Sequence, residues 1–230
     1  MELNTLLKKY QHEFAAVVPF NWQSDKVLKL DLTAGNPDLH TIDLNDTKVF
    51  EAYLFGKIKQ ANAVCGFGGY MENRYIYQKR DHFQHSDESR SIHLGVDIWA
   101  KAGTPVFTPL AGKIHSFQNN DNFGDYGPTI IVEHELENTI FFTLYGHLDL
   151  ASLNGLFEGK FIEKGQRIAS FGDYPVNGNW PPHLHFQVIS EMQGKKGDFW
   201  GVCKPSEKDK FSIICPDANI VLKLDEKFYE

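Results

Sequence analysis

Cysteine is scarce in this 230-residue chain, which has three, Cys65, Cys203 and Cys215. They are odd in number and lack Cys-x-x-Cys spacing, so they indicate neither a disulfide framework nor a thiolate metal site. Buried free thiols are expected, ahead of a Cys203–Cys215 bridge. Long apolar runs are missing too, so no segment reaches the length of a membrane span. The start, Met1-Glu2-Leu3-Asn4-Thr5-Leu6-Leu7-Lys8-Lys9, has no charged region followed by an apolar one, as a leader would. The expectation is therefore a cytoplasmic protein, or a periplasmic or secreted one if a leader has been removed. Positive charge is in deficit: 23 Lys and Arg stand against 30 Asp and Glu, a formal net charge of -7. Such a surface offers nucleic acid or anionic lipid no long-range attraction, so neither is expected as a partner. No repeat or low-complexity tract occurs. What is present, 42% hydrophobic and 13% aromatic residues, is ample for a packed core.

The informative residues sit in two short stretches, Ser91-Ile92-His93-Leu94-Gly95-Val96-Asp97-Ile98 and Pro182-His183-Leu184-His185-Phe186. On a strand, side chains two apart share a face. His93, Gly95 and Asp97 then point one way while Leu94, Val96 and Ile98 enter a core, and Gly95 leaves space between the two polar groups. His183 and His185 likewise share a face, with Leu184 and Phe186 opposite. A single histidine on a strand is usually structural. Two imidazoles and a carboxylate on strands backed by aliphatic residues form a common ligand set for a catalytic zinc, which keeps one position open for water.

With these motifs the sequence resembles the M23 metallopeptidases of the LytM/lysostaphin type, marked by His-x-x-x-Asp and His-x-His. The resemblance extends to Gly103-Thr104-Pro105-Val106, Gly112-Lys113-Ile114, Tyr145-Gly146-His147-Leu148 and Lys164-Gly165-Gln166-Arg167-Ile168-Ala169, in order, over roughly residues 91–190. It implies Zn2+ held by His93, Asp97 and His185, with His147 and His183 as the catalytic pair. No His-Glu-x-x-His helix is present to supply a glutamate base, so a histidine near the metal must accept the proton, and the sequence leaves open which of the two does. The implied activity is zinc-dependent endopeptidase cleavage of peptidoglycan cross-bridges or another small-residue peptide. Two alternatives are a non-catalytic M23-like binding or activator module, which usually lacks one or more ligands, and a barrel-sandwich phosphocarrier, which has no need of Asp97. In latent relatives an upstream asparagine can fill the open metal position, and Asn73 is considered for that role although it matches no motif.

The expected architecture is mainly β, α+β overall. An antiparallel barrel-sandwich, duplicated-hybrid-motif-like catalytic domain (91–190) follows a small N-terminal α/β accessory region (1–65) and a connecting segment (66–90), and precedes a C-terminal extension (191–230). Periodicity predicts a helix over 5–18 capped by Asn4, a half-buried strand over 27–32, a helix over 47–60 capped by Asp46, and an edge strand over 211–216. His82 and His85 sit in polar company and are poor ligand candidates, while His115 and His134 read as structural or solvated. Tyr145 shares a strand face with His147 and is expected as a rim aromatic, its hydroxyl supporting an oxyanion being the alternative. Two insertions, 118–126 and 173–182, are the natural walls of a substrate groove. The second is longer and more aromatic than the Gly/Ser/Thr-rich turn common in the family. Tyr174 and Trp180 are expected to set specificity from it.

Overall fold

The computed structural model describes residues 2–78 and 88–224. His82 and His85, with most of the polar part of the connecting segment, lie outside the described residues.

The chain opens with α1 (Leu3–Lys9), followed by a single 3-10 turn at Gln11–Glu13. The helix expected over 5–18 is thus shorter. Asn4 does not cap it: its side chain accepts from the Asp217 amide at 3.3 Å. Beyond Glu13 the backbone gains more by bonding to the core, with Ala15 N donating to Pro109 O (2.8 Å) and Phe107 N to Val17 O (2.9 Å). Leu7, Phe14 and Val17 are buried as their spacing suggested, the last two from backbone outside the helix. Next come β1 (Val27–Lys29), α2 (Thr47–Gln60) and β2 (Cys65–Gly68). Beyond β1 the alternation continues, with Leu30 and Leu32 buried and Lys29 and Asp31 exposed. Asp46 caps α2 as expected, its carboxylate accepting from the amides of Lys48 (2.9 Å) and Val49 (3.2 Å).

The remainder is mostly strand: β3 (Ile92–His93), β4 (Val96–Trp99), β5 (Pro105–Phe107), β6 (Gly112–Asn120), β7 (Gly127–Leu136), β8 (Thr139–Gly146), β9 (Phe161–Ile162), β10 (Arg167–Ser170), β11 (His183–Ile189) and β12 (Val202–Cys203). Eight of the strands form one sheet in the order β1-β2-β4-β11-β8-β7-β6-β9, parallel between β1 and β2 and antiparallel elsewhere. The fold is therefore mainly β with helices at its margins. The segments 103–114 and 161–172 pair with each other twice, through β5–β10 and through β6–β9.

The sheet crosses the expected domain boundary: β2 begins at residue 65 and pairs with β4, placing Gly68 opposite Asp97. One buried cluster joins Leu30, Leu32 and Phe50 to Trp99, Trp180 and Val202. The chain ends with α3 (Lys208–Ile214) and α4 (Ala218–Leu222). α3 replaces the edge strand expected over 211–216. Phe211 and Cys215, four residues apart, are both buried while Ile213 is 77% exposed, a helical rather than an alternating arrangement. All three cysteines are buried and free.

Candidate metal centre

Pairing of β4 with β11 sets Asp97 directly opposite His185 and Trp99 opposite His183. β3 adds His93, buried against the other two. Three atoms converge: His93 Nε2 lies 2.9 Å from His185 Nδ1 and 3.2 Å from Asp97 Oδ1, and His185 Nδ1 lies 3.1 Å from that same oxygen. The space between His93 and Asp97 that Gly95 leaves open is filled by the His185 ring. A Cβ at position 95 would stand 2.7 Å from His185 Nε2 and 2.6 Å from the Phe186 carbonyl oxygen.

The partners of the outer ring nitrogens fix the tautomers. His93 Nδ1 faces the Gly69 carbonyl at 3.1 Å and must carry the proton. His185 Nε2 faces Gln187 Oε1 at 2.9 Å, an oxygen identified by the Gln187 amide nitrogen donating to Trp200 O at 3.1 Å. His93 consequently turns its Nε2 lone pair toward Asp97 Oδ1, and His185 places Nδ1 beside the same oxygen. Burial, then the nearby Arg74 cation, push His93 down to about 3, so it is neutral at pH 7. Burial opposes the charge of Asp97, but the Arg74 guanidinium bonded to Oδ2 holds its carboxyl well below the usual range. Two imidazole nitrogens and a carboxylate oxygen brought to one point are a donor set suited to a cation. Ligand atoms about 2.0–2.1 Å from a tetrahedral ion are about 3.3 Å apart, close to the separations seen. The donor set fits a divalent cation, and His93, Asp97 and His185 are the cluster of potential metal ligands found among the described residues.

His147 and His183 complete the group. His147 follows β8 in a left-handed conformation, φ 62°. That turn breaks the strand's alternation and separates His147 from Tyr145. Tyr145 is wholly buried in the core with its hydroxyl 2.9 Å from Thr143 Oγ1, so the rim position expected for it is wrong. His147 Nδ1 donates to Asn177 O and His183 Nδ1 to Pro181 O, each at 2.8 Å. The two rings are tilted 32° to one another with centroids 4.1 Å apart, and Trp99 stacks on His183 at 4.0 Å. Burial pushes His183 down to about 4 and His147 well below its ordinary value, the latter helped by its neighbour His183.

A cavity of about 280 Å³ opens beside these rings, bordered by His147, His185, Tyr126, Trp180, Arg90 and Trp200. Tyr126 and Trp180 come from the two insertions, and Trp200 comes from the C-terminal segment. Trp180 is no free rim aromatic: it is buried, and its indole donates to Asp125 O at 3.2 Å. Asn177 knots the 173–182 loop, its amide donating to Trp180 O (2.8 Å) and Gly172 O (3.3 Å). Asn73 is solvent-exposed, and its neighbour Arg74 is the one that enters the site. His115 is half-buried, and His134 is a core residue bonded to Ala111 O (3.0 Å) and Thr143 Oγ1 (2.8 Å). Sequence reasoning missed Arg74, Tyr126, Asn177 and Gln187. Of these, only Gln187 carried a signal, two residues beyond His185 on the same strand face.

Residues 91–198 match the sequence model of Peptidase family M23. A Bacillus subtilis L-Ala--D-Glu endopeptidase is 30% identical over 107 residues, 44% of this chain and 31% of that protein. The Vibrio cholerae peptidoglycan DD-endopeptidase ShyA is 31% identical over 98 residues, 42% of this chain and 20% of that one. An Escherichia coli protein named uncharacterized lipoprotein YgeR is 32% identical over 94 residues, 41% of this chain and 33% of its own. The matches thus span a third or less of each curated relative. Among solved structures, the catalytic domain of lysostaphin from Staphylococcus simulans aligns at 26% identity with a TM-score of 0.37, over 52% of this chain and 80% of that one. A zinc-containing peptidase from Vibrio cholerae aligns at 29% identity with a TM-score of 0.33, over 45% and 29%.

Proposed function

We propose, from the premise that residues 91–198 belong to Peptidase family M23, that the chain is a zinc-dependent endopeptidase. In this reading His93, Asp97 and His185 are the ligands, and His147 and His183 are the catalytic residues. The observation that carries it is the meeting of His93 Nε2, His185 Nδ1 and Asp97 Oδ1 at 2.9–3.2 Å from one another. Zinc bound there supplies a Lewis acid that makes water nucleophilic near neutral pH and polarises a carbonyl. His147 and His183 each commit the Nδ1 proton to a backbone carbonyl, so each offers Nε2 as a proton acceptor on the site side. Held neutral by burial, either can take a proton from water and return it to the leaving amine. Trp99, stacked on His183, keeps that ring in place.

The substrate class follows from the relatives named for peptidoglycan and L-Ala–D-Glu cleavage: a cell-wall peptide, admitted through the cavity beside His147 and His185. Those names, with that of the lipoprotein relative, favour the extracytoplasmic of the two expected compartments. Among the described residues no helix is long and apolar enough to cross a membrane.

Metal analysis of the protein purified without added zinc should find about one zinc per chain, lost in Asp97→Ala. Incubation with purified peptidoglycan, Gly-rich peptides and a diverse peptide library, read by mass spectrometry, should show chelator-sensitive cleavage of peptidoglycan. Cleavage of library peptides alone would keep the enzyme and remove the cell-wall substrate. Zinc binding without cleavage of any of the three would replace the enzyme with a binding module.

A further inference from the structure

The family match begins at residue 91, yet the carboxylate at the heart of the site is gripped from further upstream. Arg74 lies on the stretch after β2, which is laced to both sides of the molecule. Arg74 N donates to Ser91 O and Tyr75 N to Leu32 O, both at 2.9 Å, and Asn73 bridges to Ile92. The Arg74 side chain is 2% exposed. Its Nη1 bonds to Asp97 Oδ2 and, at 3.3 Å, to the Tyr77 hydroxyl, while Nε donates to Glu72 Oε2 at 2.9 Å. Room for the guanidinium comes from Gly68, the residue opposite Asp97 on β2, where a Cβ would stand 2.6 Å from Nη2.

An enclosed arginine is an expensive way to fill a core, because apolar residues of similar volume stabilise as well or better. Its placement is informative on a second count. The two oxygens of Asp97 have separate partners, with Oδ1 toward His93 and His185 and Oδ2 toward Arg74. A carboxylate free to turn about its Cβ–Cγ bond can present either oxygen, or both, to a cation. One whose second oxygen is bonded to a fixed guanidinium cannot.

We propose that Arg74, braced by Glu72, is a positioning residue for the metal ligand Asp97. It holds Oδ2 aside, so that the carboxylate binds through Oδ1 alone and leaves a coordination position free for water. The catalytic unit then includes Gly68, Glu72 and Arg74, all outside the segment that matches the family. This inference rests on the metal reading of His93, Asp97 and His185.

The test uses the full chain loaded with Co2+, whose visible absorption weakens as coordination rises above four. In the double variant Arg74→Met/Glu72→Gln a cation and an anion leave together, so the net charge beside Asp97 is preserved and only its anchorage is lost. The variant should bind Co2+ with unchanged stoichiometry, show weakened visible bands, and lose about 10- to 100-fold in kcat, the usual effect of removing an outer-shell partner, at similar KM. Arg74→Lys keeps the charge and forfeits the fork geometry, and should shift the bands in the same direction. If the double variant fails to fold, this variant carries the test. Bands and kcat identical to wild type in a folded variant would overturn the proposal. Wild-type protein that binds no Co2+, or Asp97→Ala that retains it, would overturn the metal reading beneath it.

Discussion

His147 and His183 differ from His93 and His185 in which nitrogen is left over. The first pair spend Nδ1 on the carbonyls of Asn177 and Pro181 and lie against one another, tilted by 32°, while the second pair bring Nε2 of His93 and Nδ1 of His185 to Asp97 Oδ1. His147→Ala and His183→Ala should therefore keep the metal, by metal analysis, while kcat falls about 10²- to 10⁴-fold. Combining them should cost little more than either alone if they act as a unit. His134 behaves differently again. Burial pushes it down to about 4, below its ordinary value of 6.5, so between these values the unfolded chain binds a proton that the folded chain refuses. Stability is then full above pH 6.5 and falls as the pH drops toward 4, by on the order of 3 kcal/mol from this group. Urea unfolding of His134→Gln should show a shallower loss than wild type across pH 4–6.5. His93, Asp97, His183 and His185 were legible because strand spacing put them in pairs on shared faces and their types form a ligand set, and His147 was legible through the family resemblance of Tyr145-Gly146-His147-Leu148. Arg74 and Tyr126 were not, since only tertiary pairing brings them near, and Tyr145 misled because the left-handed turn at His147 cancels a parity that spacing alone takes for granted.

Helix α2 was readable to the residue, since Asp46 supplies a local cap and Phe50, Leu54 and Ile58 a local stripe. The N-terminal helix and α3 were misjudged because distant partners decided them: Pro109 and Phe107 draw the backbone of Ala15 and Val17 into bonds away from the helix, and Phe211 and Cys215 share one buried face. The 173–182 loop changes meaning once its contacts are seen. Trp180 closes the cluster shared with the N-terminal region, and Asn177 fixes the tautomer of His147. Replacing 173–181 with a short Gly/Ser turn should thus lower activity and stability together, instead of only altering peptide preference. Trp180→Ala by itself should cost about 3–5 kcal/mol, measurable by denaturant unfolding, with metal content unchanged.

The accessory region expected from composition shares both a sheet and a core with the segment that carries the site. Backbone bonding continues from β1 through β2 into β4, and Leu30, Leu32 and Phe50 lie in the same cluster as Trp99. Calorimetry of the full chain should give one cooperative unfolding transition, with calorimetric and van't Hoff enthalpies in agreement. Two separated transitions would restore the boundary at residue 65. The sequence hid this unity because β2, Cys65-Gly66-Phe67-Gly68, is short and half glycine, and reads as a turn until its ladder to Val96–Trp99 is seen.

Gly95 carries a last consequence. One methyl group there would collide with the His185 imidazole, the proposed ligand from β11, and with the backbone behind it, so Gly95→Ala should yield folded protein depleted of metal, by metal analysis and circular dichroism. A descendant with alanine at this position would still display all five polar residues at their proper spacing. Any census of motifs would count its metal site as intact, although the site had been closed by the one residue in the motif that has no side chain.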